Sequence, residues 1–193
     1  MRLRRLPRRF YRRDSRVVAP ELLYKVVVAG ACRGRIVEVE AYAGGEDPAS
    51  HAYRGRTERN ATMFERAGLL YVYFTYGMHW CANVVTGVDG EGQAVLLRAA
   101  MPMAGLDVMR ARRPAAHHDR DLCRGPARLC QALGVTGADD GTDLVRDGGI
   151  WLGDDGVGPP AEPGVSRRIG LSKGIEPPWR WYVAGDPYVS GRP

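Results

Sequence analysis

The sequence predicts an α+β fold in a single domain, 1–193, built on a mostly antiparallel sheet with short flanking helices. Runs rich in β-branched and aromatic residues recur at strand length, and turn signals divide them into hairpins. The helical signals are short and few. A length of 193 residues, with 45% hydrophobic and 26% charged residues, suits one globular core, and no repeat or linker divides it.

Taken in order, Asp14 or Ser15 caps a helix over residues 16–23, which Pro20 shortens or kinks. Residues 25–29 and 34–42 are strands joined by the turn Gly30-Ala-Cys-Arg-Gly34. Residues 69–76 and 79–86 form a second hairpin, and residues 93–99 a further strand. Between the hairpins, residues 43–67 are polar and aperiodic, the signature of a functional loop. Helical pieces follow at 105–111 and 125–133, the latter with Pro126 suited to a first turn. Residues 139–164 read as acidic, glycine-rich surface loop around one short strand, 149–152.

The formal charge is +6, and of 28 basic residues only Lys25 and Lys173 are lysines. Arginine on this scale suits bidentate contact with phosphate, and GC-rich codon usage produces the same bias. Eight of the arginines fall in the first sixteen residues, so 1–13 reads as a basic, flexible arm, either solvated or in contact with phosphate. No apolar run approaches the roughly 18–20 residues of a membrane-spanning helix, and the basic N-terminus lacks the apolar stretch of a leader peptide. Cys32, Cys81, Cys123 and Cys130 form no C-x-x-C pair, so they are expected as reduced, buried thiols in a cytoplasmic protein. Neither a P-loop nor a dinucleotide fingerprint is present, so no cofactor is expected. No metal is expected either, because His117-His118-Asp119 has poor geometry for one ion.

Two segments carry chemistry. In the strand Gly34-Arg-Ile-Val-Glu-Val-Glu-Ala-Tyr42, alternation puts Ile36, Glu38, Glu40 and Tyr42 on one face and Val37, Val39 and Ala41 on the other. The valine face is core. The carboxylate face is either a solvated sheet surface or a water-activating carboxylate beneath an aromatic platform. The second hairpin places five aromatics between Tyr71 and Trp80, with Tyr76 and Met78 at its tip around Gly77. Such an apolar tip either packs under a neighbouring loop or projects as a wedge of the kind that unstacks DNA. His51, alone in its loop, has no triad or metal-ligand spacing around it. A non-enzymatic module that holds RNA or single strands by stacking is the competing class.

These residues resemble a known family. Gly34-Arg-Ile-Val-Glu-Val-Glu-Ala-Tyr42, Glu46-Asp-Pro-Ala-Ser-His51, Leu70-Tyr-Val-Tyr73, Tyr76-Gly-Met78, Asn83, Val95-Leu-Leu-Arg98 and Gly125-Pro-Ala-Arg-Leu-Cys130 are similar to blocks of the alkyladenine type of 3-methyladenine DNA glycosylase, in the family's order. The resemblance implies a curved, open-barrel or roll-like sheet with a protruding hairpin. It also implies an enzyme that flips damaged purines out of duplex DNA and hydrolyses their N-glycosidic bond.

By that resemblance Glu40 is the general base and Arg98 the arginine that holds Glu40 and its water. Tyr42, His51, Tyr73 and Asn83 form the base pocket, with Leu171 as a further candidate. Tyr76 intercalates, with Met78 at the same tip. His79 is a departure, because tyrosine is common there. Arg54, Arg56, Arg59 and Arg128 are the candidates for DNA backbone contact. With neither lysine in a matched segment, the expectation is a monofunctional enzyme without lyase activity; a monomer is expected.

Overall fold

The computed structural model describes residues 3–146 and 148–191. Nine strands among them form one antiparallel sheet. Its main path runs β1 (Arg4–Arg5), β7 (Ile150–Asp154), β2 (Val26–Ala29), β3 (Cys32–Ala43), β6 (Gln93–Ala104), β5 (His79–Thr86) and β4 (Leu70–Thr75). Off this path, β9 (Arg180–Tyr182) pairs with β3, and β8 (Gly164–Ser166) pairs with β9.

The curvature originates in β3. Its first residues pair with β2, whereas Glu38, Val39 and Glu40 pair with β9, and the opposite edge follows β6 throughout. The register against β6 shifts between Ile36 and Val39, where the partner changes. A bulge of this kind bends a strand and steepens its twist. Ile36, expected beside the glutamates, therefore joins Val37, Val39 and Ala41 in the core.

Among the described residues four short α-helices cover the sheet. Helix α2 (Ser15–Leu22) is capped by Asp14, whose carboxylate accepts from the Arg16 N–H, and it packs Val18 and Leu22 into the core over β3 and β6. Helix α4 (Pro126–Leu133) starts on Pro126 and ends at the left-handed Gly134. It lies on β5 and β6, beside α3 (Leu106–Arg112).

Several sequence expectations change. Residues 3–13 are packed instead of forming a flexible arm: β1 pairs with β7, α1 (Arg8–Tyr11) follows, and Leu6 and Tyr11 are buried. Arg8 makes both of its ion-pair bonds to Asp143, so part of the N-terminal charge is satisfied internally. The first hairpin turns on Gly30 and Ala31 alone, because Ala29 already pairs with Cys32. Strand β6 continues to Ala104. Residues 139–164 are more than surface loop, since β7 fills the place between β1 and β2 and Leu144 is fully buried. Strands β8 and β9 had no expected counterpart. All four cysteines are buried and free.

Candidate active site

The hairpin of β4 and β5 turns through Thr75-Tyr-Gly-Met78, with the Met78 N–H bonded to the Thr75 carbonyl. Tyr76 and Gly77 both have positive φ, +51° and +65°, the combination of a type I′ turn. Tyrosine resists that region, yet the turn leaves Tyr76 80% and Met78 67% exposed. Of the two arrangements open to this tip, the structure adopts the projecting one.

The pairing of β4 with β5 puts Tyr71, Tyr73 and Thr75 on one face with Asn83, Cys81 and His79 opposite them. That face backs a cavity of about 160 Å³, lined by Tyr42, His51, Tyr73, Asn83, Leu171 and Tyr76 among others. Loop residue His51 meets the Tyr73 ring edge-on, 4.5 Å between centroids, and its Nδ1 lies 3.0 Å from the Tyr71 hydroxyl. Asn60, buried, holds this loop by donating from Nδ2 to the carbonyls of His51 and Gly55. Asn83, which also lines the cavity, donates to the Tyr71 carbonyl at 3.3 Å.

These walls are uncharged at neutral pH. Burial, and then the nearby Glu40 charge, push the Tyr42 hydroxyl well above its ordinary pKa. Burial, with Cys81 next, does the same for Tyr73, and burial raises Tyr71 to about 12. The atoms packed around the His51 ring, and then the Arg59 charge, hold its pKa below the usual value.

Behind Tyr42 lies a fully buried charge cluster, so the carboxylate face of β3 is no solvated surface. Glu40 accepts from the Ile169 N–H at 2.7 Å on Oε1 and from the Tyr42 hydroxyl at 3.0 Å on Oε2, and Oε1 also forms an ion pair with Arg98 at 3.0 Å. A carboxylate offers about four acceptor sites, and among the described residues the Tyr42 hydroxyl alone donates to Oε2, which leaves it a free lone pair. Glu38 accepts from Arg98 at 2.7 Å and Arg180 at 2.8 Å on Oε1, and from the Ser190 N–H at 2.6 Å on Oε2. Burial alone would raise the Glu38 pKa, but Arg98 and then Arg180 outweigh it, and the carboxyl lies below the usual range. Two carboxylates and two guanidiniums thus neutralise one another.

The structure brings together Glu40 and Arg98, and separately Tyr42, His51, Tyr73, Tyr76, Asn83 and Leu171 around the cavity. Met78 lines a different concavity, with His79 and Trp80, on the side of α4. Arg54 and Arg56 are exposed in the loop after His51, and Arg59, exposed in the short 3-10 helix Glu58–Phe64, donates to the Phe74 carbonyl. Arg128 is exposed on α4, away from the cavity lining. Sequence reasoning missed Arg168, Arg180, Ser190 and the Ile169 N–H. The alternating run Trp179-Arg-Trp-Tyr-Val183 is the one signal that could have revealed β9.

An uncharged aromatic slot ending one hydrogen bond from a buried carboxylate suits hydrolysis of a bond to a flat, stackable ring, and the molecule is a DNA N-glycosylase, a hydrolase of N-glycosyl bonds. The model of the family described as methylpurine-DNA glycosylase matches residues 9–187, and the chain belongs to that family. A protein of Burkholderia cenocepacia named as a 3-methyladenine DNA glycosylase is 59% identical, over 96% of this chain and 91% of its own. Proteins of the same name from Frankia casuarinae and Methanoculleus marisnigri are each 47% identical, over 94% and 97% of this chain and 90% and 99% of theirs. No helix among the described residues is long and apolar enough to cross a membrane.

Proposed function

We propose that this enzyme excises alkylated or deaminated purines, of the 3-methyladenine, 7-methylguanine, hypoxanthine and ethenoadenine class, from duplex DNA with a water activated by Glu40. The observation that carries the reading is the position of Glu40: buried, balanced by Arg98, with a free lone pair on the oxygen that Tyr42 links to the cavity. Tyr76 enters the base stack and occupies the space left by the flipped nucleotide, with Met78 beside it. Flipping costs a few kcal/mol, and least for damaged pairs.

In the cavity the base stacks against Tyr42 and Tyr73, with His51 at its edge. Asn83 occupies the floor where the 2-amino group of normal guanine would have to fit. As the C1′–N bond breaks, its electron pair leaves with the base and positive charge develops on the sugar. Glu40 takes the proton of the attacking water, whose oxygen bonds to C1′ and leaves an abasic site. Arg98 holds the carboxylate in place during transfer. Arg54, Arg56, Arg59 and Arg128 supply phosphate contacts. Lys25 is paired with Asp154 and Lys173 is exposed, and neither lines the cavity, which supports a monofunctional enzyme.

The test is an excision panel over these lesions in duplex oligonucleotides. The expected outcome is release by wild type and none by Glu40→Gln, with DNA affinity largely kept. Binding without excision of any lesion would leave a nucleic-acid-binding module instead, and a borohydride-trapped adduct would overturn the monofunctional assignment.

A further inference from the structure

Asp47 and Arg168 lie outside the Glu38–Arg98–Arg180 cluster, yet both are buried, at 1% and 5% exposure. Arg168 donates to Asp47 from both terminal nitrogens, and to the carbonyls of Ala41 at 2.9 Å and Gly174 at 2.8 Å. Its guanidinium lies 4.7 Å from the Tyr42 ring centre and 5.1 Å from that of Trp179. Asp47 in turn accepts from the backbone N–H groups of Ala43 and Ala49, at 3.3 and 3.0 Å.

These contacts converge on groups that hold Glu40 or wall the cavity. Ala41 is the residue between Glu40 and Tyr42. The Tyr42 ring under the guanidinium carries the hydroxyl that donates to Glu40 Oε2. Ile169, next in the chain after Arg168, donates the N–H that reaches Oε1. Ala49 and Leu171 line the cavity from the two loops that the pair joins. Both hydrogen-bond donors to Glu40 therefore adjoin Arg168, and Arg98 adds an ion pair.

We propose that Asp47 and Arg168 are a positioning pair for the reaction. They fix the Tyr42 hydroxyl and the Ile169 N–H around Glu40, and so aim its free lone pair at the attacking water without touching substrate. The role needs arginine: a planar fork stacks on a ring and makes parallel bonds to a carboxylate, and an ammonium does neither. The proposal rests on Glu40 as general base. A purely structural clamp between two loops would have no specific energetic coupling to the Tyr42 hydroxyl, and this separates the two roles.

The experiment measures single-turnover excision of the lesion that wild type removes fastest, at saturating full-length enzyme. Affinity for the same duplex is measured separately. Wild type, Arg168→Lys, Tyr42→Phe and the double variant make one cycle, and Asp47→Asn replaces Arg168→Lys in a second. Arg168→Lys is expected to slow excision by roughly 10–100-fold, as for a misaligned catalytic group, with affinity changed less than about threefold. In the Tyr42→Phe background that loss shrinks at least about threefold, because coupled positions are non-additive. Asp47→Asn behaves alike, and it decides alone if Arg168→Lys does not fold at the assay temperature. Losses that multiply fully, or that fall on affinity instead of rate, overturn the proposal. If Glu40→Gln keeps wild-type activity, the general-base reading fails first. If that variant is dead while the losses multiply, only the positioning role fails.

Discussion

Replacing Glu38 by Gln tests the buried charge cluster most directly. Glu38 is fully buried and accepts three N–H bonds, from Arg98, Arg180 and Ser190. Glutamine presents an amide NH2 on one side, so it opposes either the two guanidiniums or the Ser190 N–H with a second donor. It also removes one of two negative charges that balance Arg98 and Arg180, and leaves one buried positive charge uncompensated. Breaking a buried ion pair in this way costs about 3–5 kcal/mol. At about 2–4 °C per kcal/mol for a domain of this size, the melting temperature should fall by about 6–20 °C, read by calorimetry or circular dichroism at pH 7. The pH dependence has a definite sign. The folded-state pKa of Glu38 is depressed, so its stabilisation is present in full above the ordinary carboxylate value and is lost as pH falls through the folded one. Wild type and variant should therefore converge in acid. A melting temperature within about 3 °C of wild type at pH 7, or a gap that widens in acid, refutes the reasoning.

Three further outcomes follow from the packing. Tyr76→Asn places a residue tolerant of positive φ at the strained tip. Its melting temperature should equal or exceed that of wild type while capture of lesion-bearing duplex weakens more than binding to undamaged DNA, as equilibrium titrations would show. Gly44→Ala should destabilise by more than about 2 kcal/mol in urea titration, because Gly44 has a φ of +67° and a Cβ there collides with the Glu91 carbonyl. Deleting residues 1–13 removes the buried Leu6 and Tyr11. At about 1.5–3 kcal/mol for each buried side chain, the loss is about 3–6 kcal/mol, and a truncated chain as stable as wild type would contradict the packed N-terminus.

Much of this molecule is legible from local pattern. The Asp14 cap, the helix starting on Pro126, the two hairpins and the apolar tip each depend on residues a few positions apart. Strand alternation likewise put Glu38, Glu40 and Tyr42 on one face. Alternation failed at Ile36, where β3 exchanges one neighbour for another and the register shifts. The N-terminal arginines misled for a related reason: charge density says nothing about partners, and the partner of Arg8 lies 135 residues away at Asp143.

The sequence by itself determined the antiparallel α+β class, the family resemblance, and the alternation that sets Glu38, Glu40 and Tyr42 on one face of β3. Tertiary structure alone decided that both glutamates are buried, because their partners come from far along the chain. Arg180 and Ser190 reach Glu38 from 142 and 152 residues away, and the Ile169 N–H reaches Glu40 from 129. Those partners belong to short strands and loops with little periodicity of their own. Desolvation and ion pairing depend on three-dimensional neighbours, so the charge balance of the site exists only once the C-terminal segment has paired with β3.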